Sequence, residues 1–289
     1  MELKPIESII NPSAPHMVGD GFRVHNFFPS GSKLEMSPFF LLDYNAKIEF
    51  SARVNPRGVG VHPHRGFETV TIAYNGAISH HDSAGNSGTI YPGDVQWMTA
   101  GSGILHKEYH EEEFSKKGGV FQMVQLWVNL PAEFKMSTPK YQAIKNSEIV
   151  KVMLPDNAGI VEVIAGTFLN TNGSAITFSP VEVYNLRLNK NGETTLNFPA
   201  LYNTAMLVVE GSIKLNKSSV ANASQMIKFK NEGQTIVVEA QEDSIILVLS
   251  GEPIDEPIVQ YGPFLMNTQE EIQRAIMDYN EGRFGYLED

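Results

Sequence analysis

The sequence contains no cysteine. That excludes a disulfide framework, a thiolate zinc finger, a cysteine-ligated iron–sulfur cluster and a cysteine nucleophile. Basic residues are scarce, 22 Lys and Arg against 33 Asp and Glu, for a formal net charge of −11. Such a balance disfavours direct binding to a nucleic-acid backbone, which leaves a local basic patch or a protein partner as routes to DNA. Long apolar runs are also missing. The longest, such as Ile245–Leu249, are strand-sized and too short to cross a membrane. The opening MELKPIESIINPSAPH has no apolar core of signal-peptide length. The expected location is the cytoplasm, or the nucleus if the chain is eukaryotic. Hydrophobic residues at 42% and charged residues at 19% exclude a mainly disordered chain. A length of 289 residues suits one large domain or two ordinary ones.

Helix signal is scarce, and what remains reads as β. Short runs rich in Val, Ile, Thr and Phe recur between Gly, Asn, Asp and Pro. They include Thr69–Tyr74, Phe121–Asn129, Val181–Leu188, Ala205–Val209, Thr235–Glu239 and Ser244–Leu249. Asn75-Gly76 and Glu210-Gly211 read as hairpin turns, the first as type I′. Regular short strands with glycine turns suggest a sandwich or barrel. Near the C-terminus, Thr268 precedes two acids and the spacing Ile272, Ile276, Tyr279, which predicts a helix over Thr268–Asn280 with that apolar face.

The two halves resemble each other. The stretch from Thr69 through Gly76 to Ile78 aligns without gaps on that from Thr204 through Gly211 to Ile213. This suggests a duplication, with domains at 1–141 and 142–289. Equal offsets from the turn glycines place Asn197 and Pro199 where the first half has His62 and His64. Counting on from Gly93 and Gly233 places Ile246 and Val248 where it has His106 and Glu108. On this reading the second domain keeps the fold and lacks a metal site.

All eight histidines, at 16, 25, 62, 64, 80, 81, 106 and 110, lie in the first 110 residues. Histidine is the commonest metal ligand and a usual general base, so such chemistry belongs to the N-terminal half. His62-Pro63-His64 puts two imidazoles at i and i+2, on one face of a strand. His106-Lys107-Glu108 repeats that geometry with a carboxylate. Together they offer three nitrogens and one oxygen, a set that suits Fe, Mn, Ni, Cu or Zn better than Ca or Mg. Four protein ligands on an octahedral metal leave two open positions for substrate and dioxygen. His80 and His81 are adjacent, so they face opposite sides of a strand and read as a solvated strand end. His110, before three glutamates, reads as a surface residue. His16 and His25 have no partner pattern. Glu68, four residues beyond His64, reads as a fifth ligand or a hydrogen-bond partner of one.

The stretches His62–Val70 and Pro92–Glu108 closely resemble the two metal motifs of the pirin family. Gln125–Leu130 and Gln260–Thr268 resemble two further pirin signatures. Pirins are cupins, and the resemblance implies an all-β bicupin: two face-to-face antiparallel β-barrel domains with a short C-terminal helix. It implies metal ligands at His62, His64, His106 and Glu108, with Fe(II) the expected metal and Mn, Ni, Cu or Zn as alternatives. It further implies a quercetin 2,3-dioxygenase-type oxidoreductase acting on a flavonol and O2, with Glu108 also as the catalytic base. The alternative is a non-enzymatic, iron-dependent redox-sensing regulator that binds a transcription factor or a metabolic enzyme. A monomer is expected, since two cupin units in one chain can satisfy each other.

Overall fold

The computed structural model describes residues 2–28 and 36–288. The chain divides into two compact units. Among the described residues, the first unit comprises 14–28, 39–146 and 254–288, and the second comprises 2–13, 36–38 and 147–253. This differs from an expected division at 141/142. The strand Lys140–Ile144 pairs along Val95–Thr99, which carries the first unit on to 146. The termini also exchange. Ile6–Ile10 pairs with Met226–Phe229 in the second unit, and the C-terminal segment packs in the first.

Each unit pairs a seven-stranded antiparallel sheet with a four-stranded one. In the first, the large sheet runs in the order Lys140–Ile144, Val95–Thr99, Phe67–Asn75, Gly119–Asn129, Phe39–Phe50, Phe22–Asn26 and His16–Val18. Its small sheet runs Gly58–His64, Ile104–His110, Ile78–Asp82 and Ser87–Ile90. The second unit repeats this order strand for strand. Its large sheet runs Ile6–Ile10, Met226–Phe229, Asn203–Glu210, Ser244–Gly251, Val181–Leu188, Gly159–Ala165 and Val150–Met153. Its small sheet runs Glu193–Asn197, Thr235–Ala240, Ser212–Leu215 and Ser219–Asn222.

The turns at Gly76 and Gly211 are not hairpins. Phe67–Asn75 and Ile78–Asp82 lie in different sheets, as do Asn203–Glu210 and Ser212–Leu215. Each glycine therefore turns a corner between sheets. Gly76 has φ of +82° and Asn75 stays at negative φ, which excludes the type I′ turn that needs both positive.

The C-terminal helix spans Gln269–Asn280 with Thr268 as its N-cap. Thr268 and Glu271 form a reciprocal capping box, which satisfies two N-terminal donors. The buried positions are Ile272, Ala275 and Asp278, whereas Tyr279 is exposed. An unforeseen short helix, Glu112–Lys117, explains the acids after His110. Glu111 caps it, and Glu112 and Glu113 sit in its first turn, where negative charge complements the helix dipole.

Candidate metal centre

The site forms in the first unit, where the end of Gly58–His64 meets the middle of Ile104–His110. His62 and His106 are direct ladder partners. The alternation of side chains puts His62, His64, His106 and Glu108 on one face. The ladder shifts register between His106 and Glu108, so that Glu108 pairs with Val59. One ring nitrogen from each of His62, His64 and His106 lies within 4.8 Å of the others. The ring centroids are 4.2 to 4.8 Å apart. Glu108 is outside this triad but lines the same cavity, with its Oε1 3.3 Å from the Thr71 hydroxyl.

These residues fit a transition-metal ion. Both nitrogens of His106 and Nδ1 of His64 are buried without a hydrogen-bond partner among the described residues. Leaving them so would cost about 1–3 kcal/mol each. His62 Nδ1 donates to the Gly60 carbonyl at 2.8 Å, which fixes the tautomer with its Nε2 lone pair free. Burial lowers the pKa of His62, and burial plus the neighbouring imidazoles holds His64 and His106 well below the ordinary value. Neutral imidazoles are the ligating form. Burial raises the Glu108 carboxyl to about 7, partly offset by Thr71.

The triad opens into a cavity of about 330 Å³. Its apolar wall includes Phe22, Leu41, Val59, Met123 and Trp127, and its polar groups besides the four motif residues are Asp43 and Gln125. The volume falls near the low end of ~300–1,000 Å³ for small-molecule sites. The sequence offered no sign of Asp43, Thr71 or Gln125 as site residues. Each is one of several polar residues on its strand, and only its inward direction distinguishes it.

Several histidines lie elsewhere than their neighbours suggested. His80 is buried and faces inward as the ladder partner of Glu108, and burial lowers its pKa to about 4. It is not a solvated strand end. Its Nε2 approaches Gly88, whose missing side chain leaves it room: a Cβ there would lie 3.3 Å from Nε2 and 3.2 Å from the Tyr141 hydroxyl. His81 faces outward and bonds the Tyr109 hydroxyl at 2.9 Å. His110 is fully buried among Phe22, Phe50, Phe114 and Phe121, with Nε2 donating to Gly21 O at 2.8 Å. Glu68 is on the opposite strand face from Thr69 and Thr71, and it accepts the Thr99 hydroxyl at 2.7 Å. That orientation removes it as a ligand of the triad.

The C-terminal segment secures the motif from behind. Arg65, next to His64, donates to Asp278 at 2.9 Å and to Ser102 O at 2.7 Å, and lies 4.7 Å from the Phe284 ring centroid. The next residue must be glycine. Gly66 has φ of +89°, and a Cβ there would lie 2.1 Å from Leu265 O. The buried Lys135 amine donates to Gly66 O, Asn129 Oδ1 and Leu265 O at 2.6 to 2.9 Å, tying both segments together.

Strand order and site together define a two-domain cupin with a histidine-lined cavity in one barrel. Residues 21–128 match the family described as Pirin, and residues 183–285 match the Pirin C-terminal cupin domain. The chain is 46% identical to a Pseudomonas aeruginosa protein that carries a provisional quercetin 2,3-dioxygenase name, over 98% of this chain and 99% of that one. Pirin-like protein 2 of Arabidopsis thaliana is 39% identical over 93% of this chain and 82% of its own. A crystal structure titled as quercetin 2,3-dioxygenase from Acinetobacter baumannii superimposes with a TM-score of 0.94 at 46% identity, covering 99% of this chain and 100% of that one. The chain belongs to the pirin family.

Proposed function

We propose that this protein is an iron-dependent dioxygenase of flavonols such as quercetin, with His62, His64, His106 and Glu108 as metal ligands. The observation that carries this reading is a three-histidine cluster opening into a substrate-sized, largely apolar cavity with a buried carboxylate on its wall. The quercetin dioxygenase names of relatives 46% identical to this chain support it. Bound by these four side chains, Fe(II) supplies a Lewis acid and a template for oxygen donors.

The remaining roles fall to the chain itself. Glu108 is the carboxylate nearest the triad on the cavity wall, and it takes the proton of the flavonol 3-hydroxyl. The Thr71 hydroxyl lies 3.3 Å from that carboxylate and 2.9 Å from Gln125 Oε1, so its single proton is shared between the two, with the shorter bond to Gln125. The apolar wall sheathes the aromatic rings and keeps water from the reacting carbons. In the net reaction dioxygen is the oxidant: both its atoms enter the ring-opened ester, and one ring carbon leaves as carbon monoxide.

The test is to load the protein with Fe(II) without air, add quercetin, admit oxygen, and follow flavonol absorption together with carbon monoxide. The expected result is turnover that falls about 10²–10⁴-fold in Glu108→Gln. The fold, read by circular dichroism, should persist in that variant. Iron bound at one per chain with no turnover would refute the flavonol reading and favour a redox-responsive binding protein.

A further inference from the structure

The cavity of the first barrel has one polar wall, and its counterpart in the second barrel is apolar. Asp43 and Gln125 are ladder partners, as are Gln125 and Thr71, so the three form a row across adjacent strands on the inner face. One Asp43 oxygen accepts from Asn26 at 2.7 Å, and the other accepts no hydrogen bond among the described residues, with His16 as a charged neighbour of the carboxyl. Gln125 Oε1 takes the Thr71 hydroxyl at 2.9 Å, which leaves its amide N–H groups unpartnered among the described residues. The cavity thus presents one free acceptor beside one free donor.

Packing does not require this row. The gapless alignment through Gly76 and Gly211 carries Thr71 onto Met206. The ladders then carry Gln125 onto Val248 and Asp43 onto Tyr184. A bulge recurs at the equivalent place in both units, opposite Met123 in the first and Ile246 in the second, which fixes the register. Met206, Val248 and Tyr184 all lie in the second unit's hydrophobic core. The same topology therefore closes well with apolar residues here.

We propose that Asp43 and Gln125 are specificity residues that read a phenolic hydroxyl on the substrate: the hydroxyl donates to Asp43 and accepts from the Gln125 amide. A catechol satisfies both groups with its two neighbouring oxygens. The ligand class this favours is a hydroxylated aromatic ring, not a bare one. The inference rests on the flavonol reading of the same site.

The experiment is anaerobic titration calorimetry of the Fe(II)-loaded protein, so that binding is read without turnover. The probes are quercetin and 3-hydroxyflavone, which keeps the metal-binding hydroxyl and lacks the rest. Quercetin should bind about 10–100-fold tighter, the range for a hydrogen bond to a charged group. That ratio should collapse in Asp43→Leu and in Gln125→Leu. Asp43→Asn keeps an acceptor for Asn26, and it serves as the folded control, with an intermediate ratio expected. An unchanged ratio in the variants, or no preference in the wild type, overturns the assignment of these two residues. Binding of neither flavonol overturns the broader flavonol reading instead.

Discussion

The two barrels follow one strand order and differ in what fills them. In the first unit the inner face carries His62, His64, His106, Glu108 and His80. The alignment through Gly76 and Gly211 and the ladder registers place Leu196, Phe198, Ile236, Val238 and Leu215 at the matching positions of the second. All five belong to its hydrophobic core cluster. The second unit shows the same strand order closed over an apolar interior. By that measure the first unit gives up a cluster of buried apolar side chains, each worth roughly 1.5–3 kcal/mol. It gains a site that can bind metal and admit a substrate.

Paired substitutions at equivalent positions test this comparison most sharply. His106→Ala should weaken metal binding more than the ~10–100-fold seen when a ligand's outer partner is removed. Metal analysis after gel filtration would read it, and one metal per chain in the variant would refute the ligand assignment. Ile236→Ala, at the matching place in the second barrel, should lower stability by about 2–5 kcal/mol with metal content unchanged. Denaturant melts would measure the loss. A loss of metal without a loss of stability would invert the comparison.

The smallest effect concerns Glu68, whose counterpart by the same alignment is the neutral Asn203. Burial raises the Glu68 carboxyl to about 7, above its ordinary 4.5, with Thr99 and Trp97 partly opposing. The folded state therefore holds this proton more tightly than the unfolded chain does. Its contribution is fully present below about 4.5 and is lost as pH rises through about 7. Glu68→Gln should flatten the stability–pH curve over that window. An unchanged slope would show that Glu68 ionises normally.

Much of the site was legible because strand geometry makes His-x-His and His-x-Glu unambiguous: two residues apart means one face. The duplication was legible from ten residues spanning a glycine corner, Thr69–Ile78 against Thr204–Ile213. The counterparts of the ligands were not. Counting from Gly93 to Gly233 passed over a strand, because the left-handed corner filled by Gly93 is filled by Ser224 in the second unit, at φ of +68°. By the ladder registers Ile246 and Val248 are instead the equivalents of Met123 and Gln125. The offset that gave Asn197 and Pro199 erred by one residue, since the ladder sets Leu196 and Phe198 there. The ladders place the apolar Leu196, Phe198, Ile236 and Val238 at the positions that match the four candidate ligands. His80 and His110 were misjudged from their neighbours. Burial in a barrel depends on which way a residue points, and adjacent acids say nothing about that.

The partner of Arg65 lies 213 residues further along the chain. This has a consequence for synthesis. Every residue of the second unit has been made once residue 253 has been added, although most of that unit comes later in sequence. The first unit, most of which is made before residue 147, still lacks Leu265 to fit against Gly66 and Asp278 to pair with Arg65. A nascent chain thus carries all four candidate ligands long before it can brace the end of the strand that holds two of them. The unit that holds the candidate ligands is the last to have all of its residues.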